Sequence, residues 1–167
     1  MKEKHRAILL LGGNLGRRRR MLARAREQLG LEAGRVLEES SLYETEPWGF
    51  EAGQNFLNQV VVVETDRTPR ELLMVLQGIE KNLGRQAADP GGGYSSRVID
   101  LDILFYDRQV IDTPSLRVPH PQLHRRRFTL EPLCEVAPDL LHPVLQKTTT
   151  RLLEECQDPS GVYKVNP

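Results

Sequence analysis

The stretch VIDLDILFYD, residues 98–107, decides how the chain is read. Its residues alternate as a strand does, with successive side chains on opposite faces. Ile99, Leu101, Ile103 and Phe105 fall on one face, which suits a core. Val98, Asp100, Asp102, Leu104 and Tyr106 fall on the other. Two carboxylates therefore stand side by side. At about 6 Å and an effective dielectric of about 20 they repel by roughly 3 kcal/mol. A cation near both reverses that sign, whereas a solvated sheet face makes the pair harmless. Spacing alone leaves both readings open.

Working outward, the residues just before the strand, QAADPGGGYSS (86–96), hold a glycine triplet and no apolar run. A loop of that length beside a paired-acid strand reads as a lid or a disordered segment. Upstream, TPRELLMVLQGIEKNLG (68–84) predicts a helix. Thr68 and Glu71 make a capping box, Pro69 suits the first turn, and Leu72, Leu73, Leu76, Ile79 and Leu83 form the buried stripe. QNFLNQVVVVETD (54–66) is a β-branched strand. RVLEESSLYETEP (35–47) predicts a strand that ends at Pro47. RRRRMLARAREQLG (17–30) predicts an amphipathic helix that stops at Gly30, its arginines a solvated face. AILLL (7–11) predicts a buried strand. Downstream, 110–143 is punctuated by prolines and reads as short elements, and TTTRLLEEC (148–156) predicts a last helix.

The order strand, helix, strand, strand, helix, strand predicts an α+β fold of the ferredoxin-like (split βαβ) kind. Its antiparallel sheet would carry helices on one face and leave the other open for a site. The 167 residues suit a single domain, 1–167. Lys plus Arg and Asp plus Glu both number 23, so bulk charge recruits neither nucleic acid nor a membrane. The two cysteines, Cys134 and Cys156, match neither a disulfide framework nor zinc spacing, and fit a cytoplasmic location. No apolar run reaches membrane-span length.

Paired acids, arginines and a mobile loop suit phosphoryl chemistry. Mg²⁺ takes one or two carboxylates and completes its shell with phosphate oxygens and water. Arg85, Arg97 and Arg125 to Arg127 can neutralise phosphate. No Walker-type loop is present, and GGNLG is too short for a dinucleotide fingerprint. His120 and His124 have a helical ligand spacing, but Pro119 and Pro121 disfavour a helix and hence zinc. Phe56 and Asn58 share a strand face. They form either core or an aromatic plate beside an amide, the latter suited to a flat heterocycle.

In order and spacing, LLLGGNLG, SSLYETEPWGF, QNFLNQVVVVET, SRVIDLDILFYD and VPHPQLHRRRFTLEPLCEVAPDL resemble the 6-hydroxymethyl-7,8-dihydropterin pyrophosphokinases of folate biosynthesis. The resemblance spans about residues 7–145. The combination R-x-x-D-x-D-I-L with downstream V-P-H-P and R-x-F-x-L-x-P-L is the specific part. It implies transfer of the β,γ-diphosphate of ATP to the pterin hydroxymethyl group, with AMP released and two Mg²⁺ ions assisting. It implies Asp100 and Asp102 as metal ligands, with Arg97 joining them in catalysis. It implies Thr45, Trp48, Gly49, Phe56, Asn58 and Phe128 at the pterin, with Phe56 and Phe128 stacking on the ring. Gln77, Arg85, Arg97, Ile103, His120 and Arg126 fall at the ATP, and Glu80 matches a family acid. ATP and the dihydropterin are the expected partners of a monomer.

The chain departs from the pattern in the loop. Residues 86–96 carry no basic residue, Tyr94 replaces a common Trp, and Ser95-Ser96 replace Gly-Pro. The expectation is a looser lid and weaker nucleotide binding. The rival enzyme class is a two-metal nucleotidyl transferase or cyclase, which would release diphosphate and does not explain Phe56, Asn58 and Phe128. A non-catalytic binding module is the other alternative.

Overall fold

A computed structural model of the chain describes residues 2–46, 55–84 and 98–166. Ala7 to Leu11 in β1 (His5–Gly13) and Val60 to Val63 in β4 (Phe56–Thr65) are buried without alternation. Runs of that kind belong to strands covered on both faces. β1 is central, antiparallel to β5 (Asp100–Tyr106) on one side and to β4 on the other. β4 also carries β2 (Arg35–Glu39) and β3 (Tyr43–Thr45), and β8 (Val162–Lys164) lies outside β3. The sheet order is β5-β1-β4-β3-β8, with β2 beside β4. β6 (Ile111–Asp112) and β7 (Arg117–Val118) pair separately. The result is a mixed α/β fold built on an antiparallel sheet.

On one face, α1 (Arg18–Glu32) sets Leu22, Ala25 and Leu29 against the sheet, and α2 (Pro69–Asn82) sets Leu72, Leu76 and Ile79 there. The strands answer with Leu9, Leu11, Val61, Val63, Leu101 and Ile103. The capping box of α2 is present. The Glu71 N–H donates to Thr68 Oγ1 at 3.2 Å, and the Thr68 N–H donates to Glu71 Oε1 at 2.9 Å. α1 does not stop at Gly30. It runs on to Glu32, because burying Ala33 one turn past Leu29 outweighs the helix penalty of about 1 kcal/mol for an interior glycine.

The expectation of helices on one face only is corrected by α3 (Arg127–Val136) and α4 (Thr149–Glu155). They pack Leu130, Leu133 and Leu152 onto Ile8, Leu10, Val60 and Val62 on the second face. The proline-rich segment thus contains a ten-residue helix with Pro132 inside it. Burial of Leu130 and Leu133 on either side holds the helix across that proline. The predicted strand 35–47 is likewise broken into β2 and β3. At the break the Ser40 N–H still donates to the Val60 carbonyl at 2.8 Å, and side chains supply the rest: Ser40 Oγ accepts the Val60 N–H at 3.0 Å, and Gln59 Nε2 donates to the Ser40 carbonyl at 2.6 Å.

β5 also departs from simple alternation. Leu9 faces Ile103 and Ile8 faces Phe105, so Leu104 has no opposite number on β1. This bulge turns Leu104 and Phe105 onto the second face and Tyr106 back to the first. Phe105 therefore does not share the face of Ile99, Leu101 and Ile103.

Candidate active site

The sheet register assembles the site. Asp100 of β5 lies opposite Gly12 of β1, Gly12 opposite Asn58 of β4, and Asn58 opposite Tyr43 of β3. Directly opposed residues of antiparallel strands share a face. Asp100 and Asn58 therefore stand two strand spacings apart, about 10 Å along the sheet, with a residue lacking a side chain between them. Asp102 stands opposite Leu10 on the same face. Both aspartates are half-buried. Gly12 is needed for space rather than for backbone freedom, because a Cβ there would lie 2.5 Å from Asn58 Oδ1. Asn58 leans over β1 toward the acidic strand. It is 3% exposed, and among the described residues its buried Nδ2 has no hydrogen-bond partner. A buried donor left so costs about 1–3 kcal/mol and marks a position where a ligand acceptor is welcome.

Glu80 holds the acidic strand from outside. β5 is an edge strand, so every other N–H points away from β1. The Leu101 N–H, between the two aspartates, donates to Glu80 Oε2 at 2.9 Å, and Glu80 is 6% exposed. A carboxylate on α2 thus takes the place of a missing neighbour strand. The signal was in the sequence: Glu80 stands four residues after Leu76 on the buried stripe, where a charge needs a reason.

The segment after β7 brings a histidine to the same strand. The His120 N–H donates to the carbonyl of the bulged Leu104 at 3.0 Å. His120 Nδ1 accepts the Gln122 N–H at 3.1 Å, which leaves the ring proton on Nε2. Burial, and then the nearby Arg126 charge, push this imidazole down to about 4. It is a neutral donor at physiological pH. Arg126 precedes α3 and lies 5.7 Å from the Phe128 ring. Phe56 and Phe128 are half-buried, and Thr45, opposite Phe56, is buried.

Other expected residues sit differently. Gln77 is exposed on α2, one turn before Glu80. Ile103 is buried among the helices of the first face, so only its backbone is available to a ligand. Trp48, Gly49, Arg85, Arg97 and the loop 86–96 lie outside the described residues. Sequence reading gave no role to Gly12 or to Glu80.

Two half-buried carboxylates on one face of the strand fit Mg²⁺. Among the described residues no group of three or more metal-ligating side chains gathers. The pair suits an ion that draws the rest of its shell from phosphate and water. No helix among the described residues is long and apolar enough to cross a membrane.

Comparison with known proteins identifies the family. The family model for 7,8-dihydro-6-hydroxymethylpterin-pyrophosphokinase matches residues 8–138. A 2-amino-4-hydroxy-6-hydroxymethyldihydropteridine pyrophosphokinase of Porphyromonas gingivalis is 46% identical over 136 residues, covering 81% of this chain and 92% of that one. One of Methylorubrum extorquens is 41% identical over 161 residues, covering 96% and 98%. Among solved structures, Plasmodium falciparum HPPK-DHPS, wild type with pteroate, superposes with a TM-score of 0.74 at 17% identity. That likeness concerns the fold; it covers 93% of this chain, which spans 45% of the longer one. The chain belongs to the 7,8-dihydro-6-hydroxymethylpterin-pyrophosphokinase family.

Proposed function

We propose that the chain transfers the β,γ-diphosphate of ATP to the hydroxymethyl group of 6-hydroxymethyl-7,8-dihydropterin, giving AMP and the pterin diphosphate on the route to folate. Family membership supports the reaction. The observation that carries the site assignment is the row Asp100–Gly12–Asn58, which puts an acidic pair and an unpaired buried amide on one sheet face.

In this reading Asn58 Nδ2 donates to the polar edge of the pterin, with the backbone near Thr45 beside it. Phe56 and Phe128 stack on the ring, and Trp48 and Gly49 complete that wall. Arg126 and the Nε2–H of His120 meet phosphate oxygens, joined by Arg85 and Arg97. Gln77 and the Ile103 backbone serve the nucleotide. Asp100 and Asp102 would hold two Mg²⁺ ions, which when bound would offset negative charge on the phosphates. Asp102 orients the attacking hydroxyl. The protein's share is mainly positioning and charge neutralisation.

The frame that does this is a split βαβ, supported by the element order and by β1 lying between β4 and β5. The chain acts as a single-domain, cytoplasmic monomer. Residues 86–96 carry no basic residue, which leaves ATP more weakly held. An arginine introduced there should tighten ATP in a nucleotide titration, and unchanged affinity would count against that reading. The site itself is tested by Asp102→Asn. Turnover should fall roughly a hundredfold or more, while fluorescence titration shows pterin affinity within about twofold of the unmodified chain. Full activity in that variant would remove Asp102 from the metal site.

A further inference from the structure

The C-terminal segment lies beyond residues 8–138, the part that the family model matches. Its bonds nevertheless converge on both walls of the site. The first wall is the start of α3, where Arg126 and Phe128 flank Arg127. This helix has no side-chain cap of its own and no acidic residue in its first turn. The carboxylate comes from the tail: the Arg127 N–H donates to Asp158 Oδ2 at 3.1 Å. The Arg127 guanidinium also donates to the Asp158 carbonyl and to the Cys156 carbonyl, each at 3.1 Å. Asp158 Oδ1 accepts the Ser160 N–H at 2.9 Å, which fixes the carboxylate. An anion at a helix N-terminus satisfies an orphan donor and complements the dipole.

The second wall is β3. Thr45 Oγ1 donates to the Gly161 carbonyl at 3.0 Å, and Val162 to Lys164 pair with Thr45 to Tyr43. Beyond β8 the Val165 N–H donates to the Leu42 carbonyl at 2.8 Å, and Arg19 donates to the Asn166 carbonyl at 2.8 Å. The tail therefore runs from the helix that begins with Arg127-Phe128 to the strand that ends with Thr45, and is bonded at both.

We propose that residues 156–166 are a strap that sets the spacing of the two pterin-facing walls, with Asp158 as a positioning residue that caps α3 from outside it. Without that cap the first turn of α3 frays, and Phe128 loses its fixed place. Most of the nucleotide side, held by β5 and by the His120 bond to Leu104, lies away from the strap; only Arg126, beside the capped residue, is disturbed with it. This inference rests on the pterin reading of the site.

The test uses the full-length chain and its Asp158→Ala and Asp158→Asn variants. Pterin fluorescence is titrated with Mg²⁺ and a non-hydrolysable ATP analogue present, and the analogue is titrated separately. The unmodified chain is measured first, and failure there to bind pterin would sink the pterin reading rather than the strap. Asp158→Ala should weaken pterin about fivefold, the size of a lost helix cap, with a clearly smaller loss of nucleotide affinity, carried by Arg126. Asp158→Asn keeps a capping oxygen and should recover most of the pterin affinity. It also keeps the test open if the alanine variant fails to fold. Pterin affinity unchanged in Asp158→Ala, an equal loss for pterin and nucleotide, or no difference between the two variants would overturn the strap.

Discussion

Glu80 braces the acidic strand from the side away from β1. Its carboxylate accepts the N–H that lies between the two aspartates, so the edge strand is fixed where both acids point to one place. Glu80→Ala should cost about 1–3 kcal/mol of stability, the usual cost of a buried donor left unmet. It should also raise the Mg²⁺ concentration needed for half-maximal rate. Glu80→Gln, which retains an accepting oxygen, should do much less. Denaturant melts together with a Mg²⁺ titration of the rate separate the two effects; an unaltered Mg²⁺ requirement in Glu80→Ala would leave Glu80 a packing residue only. At this scale the aspartate pair was legible from D-x-D in an apolar strand. The need for Gly12 was not, because it arises from a residue on another strand, Asn58, reaching across it. Ile103 was assigned to the nucleotide by position, while its side chain is spent on the core.

Elements with strong local signals matched their expectation, and those held by distant contacts did not. The Thr68–Glu71 box and the 3.6-residue stripe defined α2 to within a residue. α3 was hidden because its beginning is capped by Asp158, thirty-one residues on, and because Pro132 reads as a breaker. The β5 bulge was equally silent, since period two in a sequence does not show where a strand gains a residue. These misses shared a consequence: they concealed the second covering layer. That layer is testable. Leu133 is fully buried beneath α3, so Leu133→Ala should destabilise by about 2–5 kcal/mol in a urea melt. A loss below about 0.5 kcal/mol would mean that α3 lies off the sheet.

The whole molecule should answer to acid through its histidines. Burial lowers the imidazoles of His120, His124 and His142, with Arg126, Arg125 and His124 respectively adding to the effect. His142 shows the reason: it is 5% exposed and its Nδ1 accepts the N–H groups of Val144 and Leu145 at 3.1 and 3.0 Å. A base with a depressed folded pKa binds fewer protons folded than unfolded, so stability rises with pH between the two values. For His120 that window runs from about 4 to the ordinary value of 6.5. Stability should be level just above 6.5 and fall steadily as the pH drops toward 4. His120→Gln should flatten that fall, and an equally steep one in the variant would mean that His120 is not held neutral in the folded protein.

In the proposed function, the register that joins Asp100 to Asn58 through Gly12 is the place where a nucleotide and a pterin meet. Phosphorus NMR of the protein with ATP, Mg²⁺ and 6-hydroxymethyl-7,8-dihydropterin tests that meeting most directly. The expected spectrum gains AMP and a pterin diphosphate in equal amounts while ATP is consumed. ADP or free diphosphate as the phosphorus product, or intact ATP with the pterin bound, would contradict it.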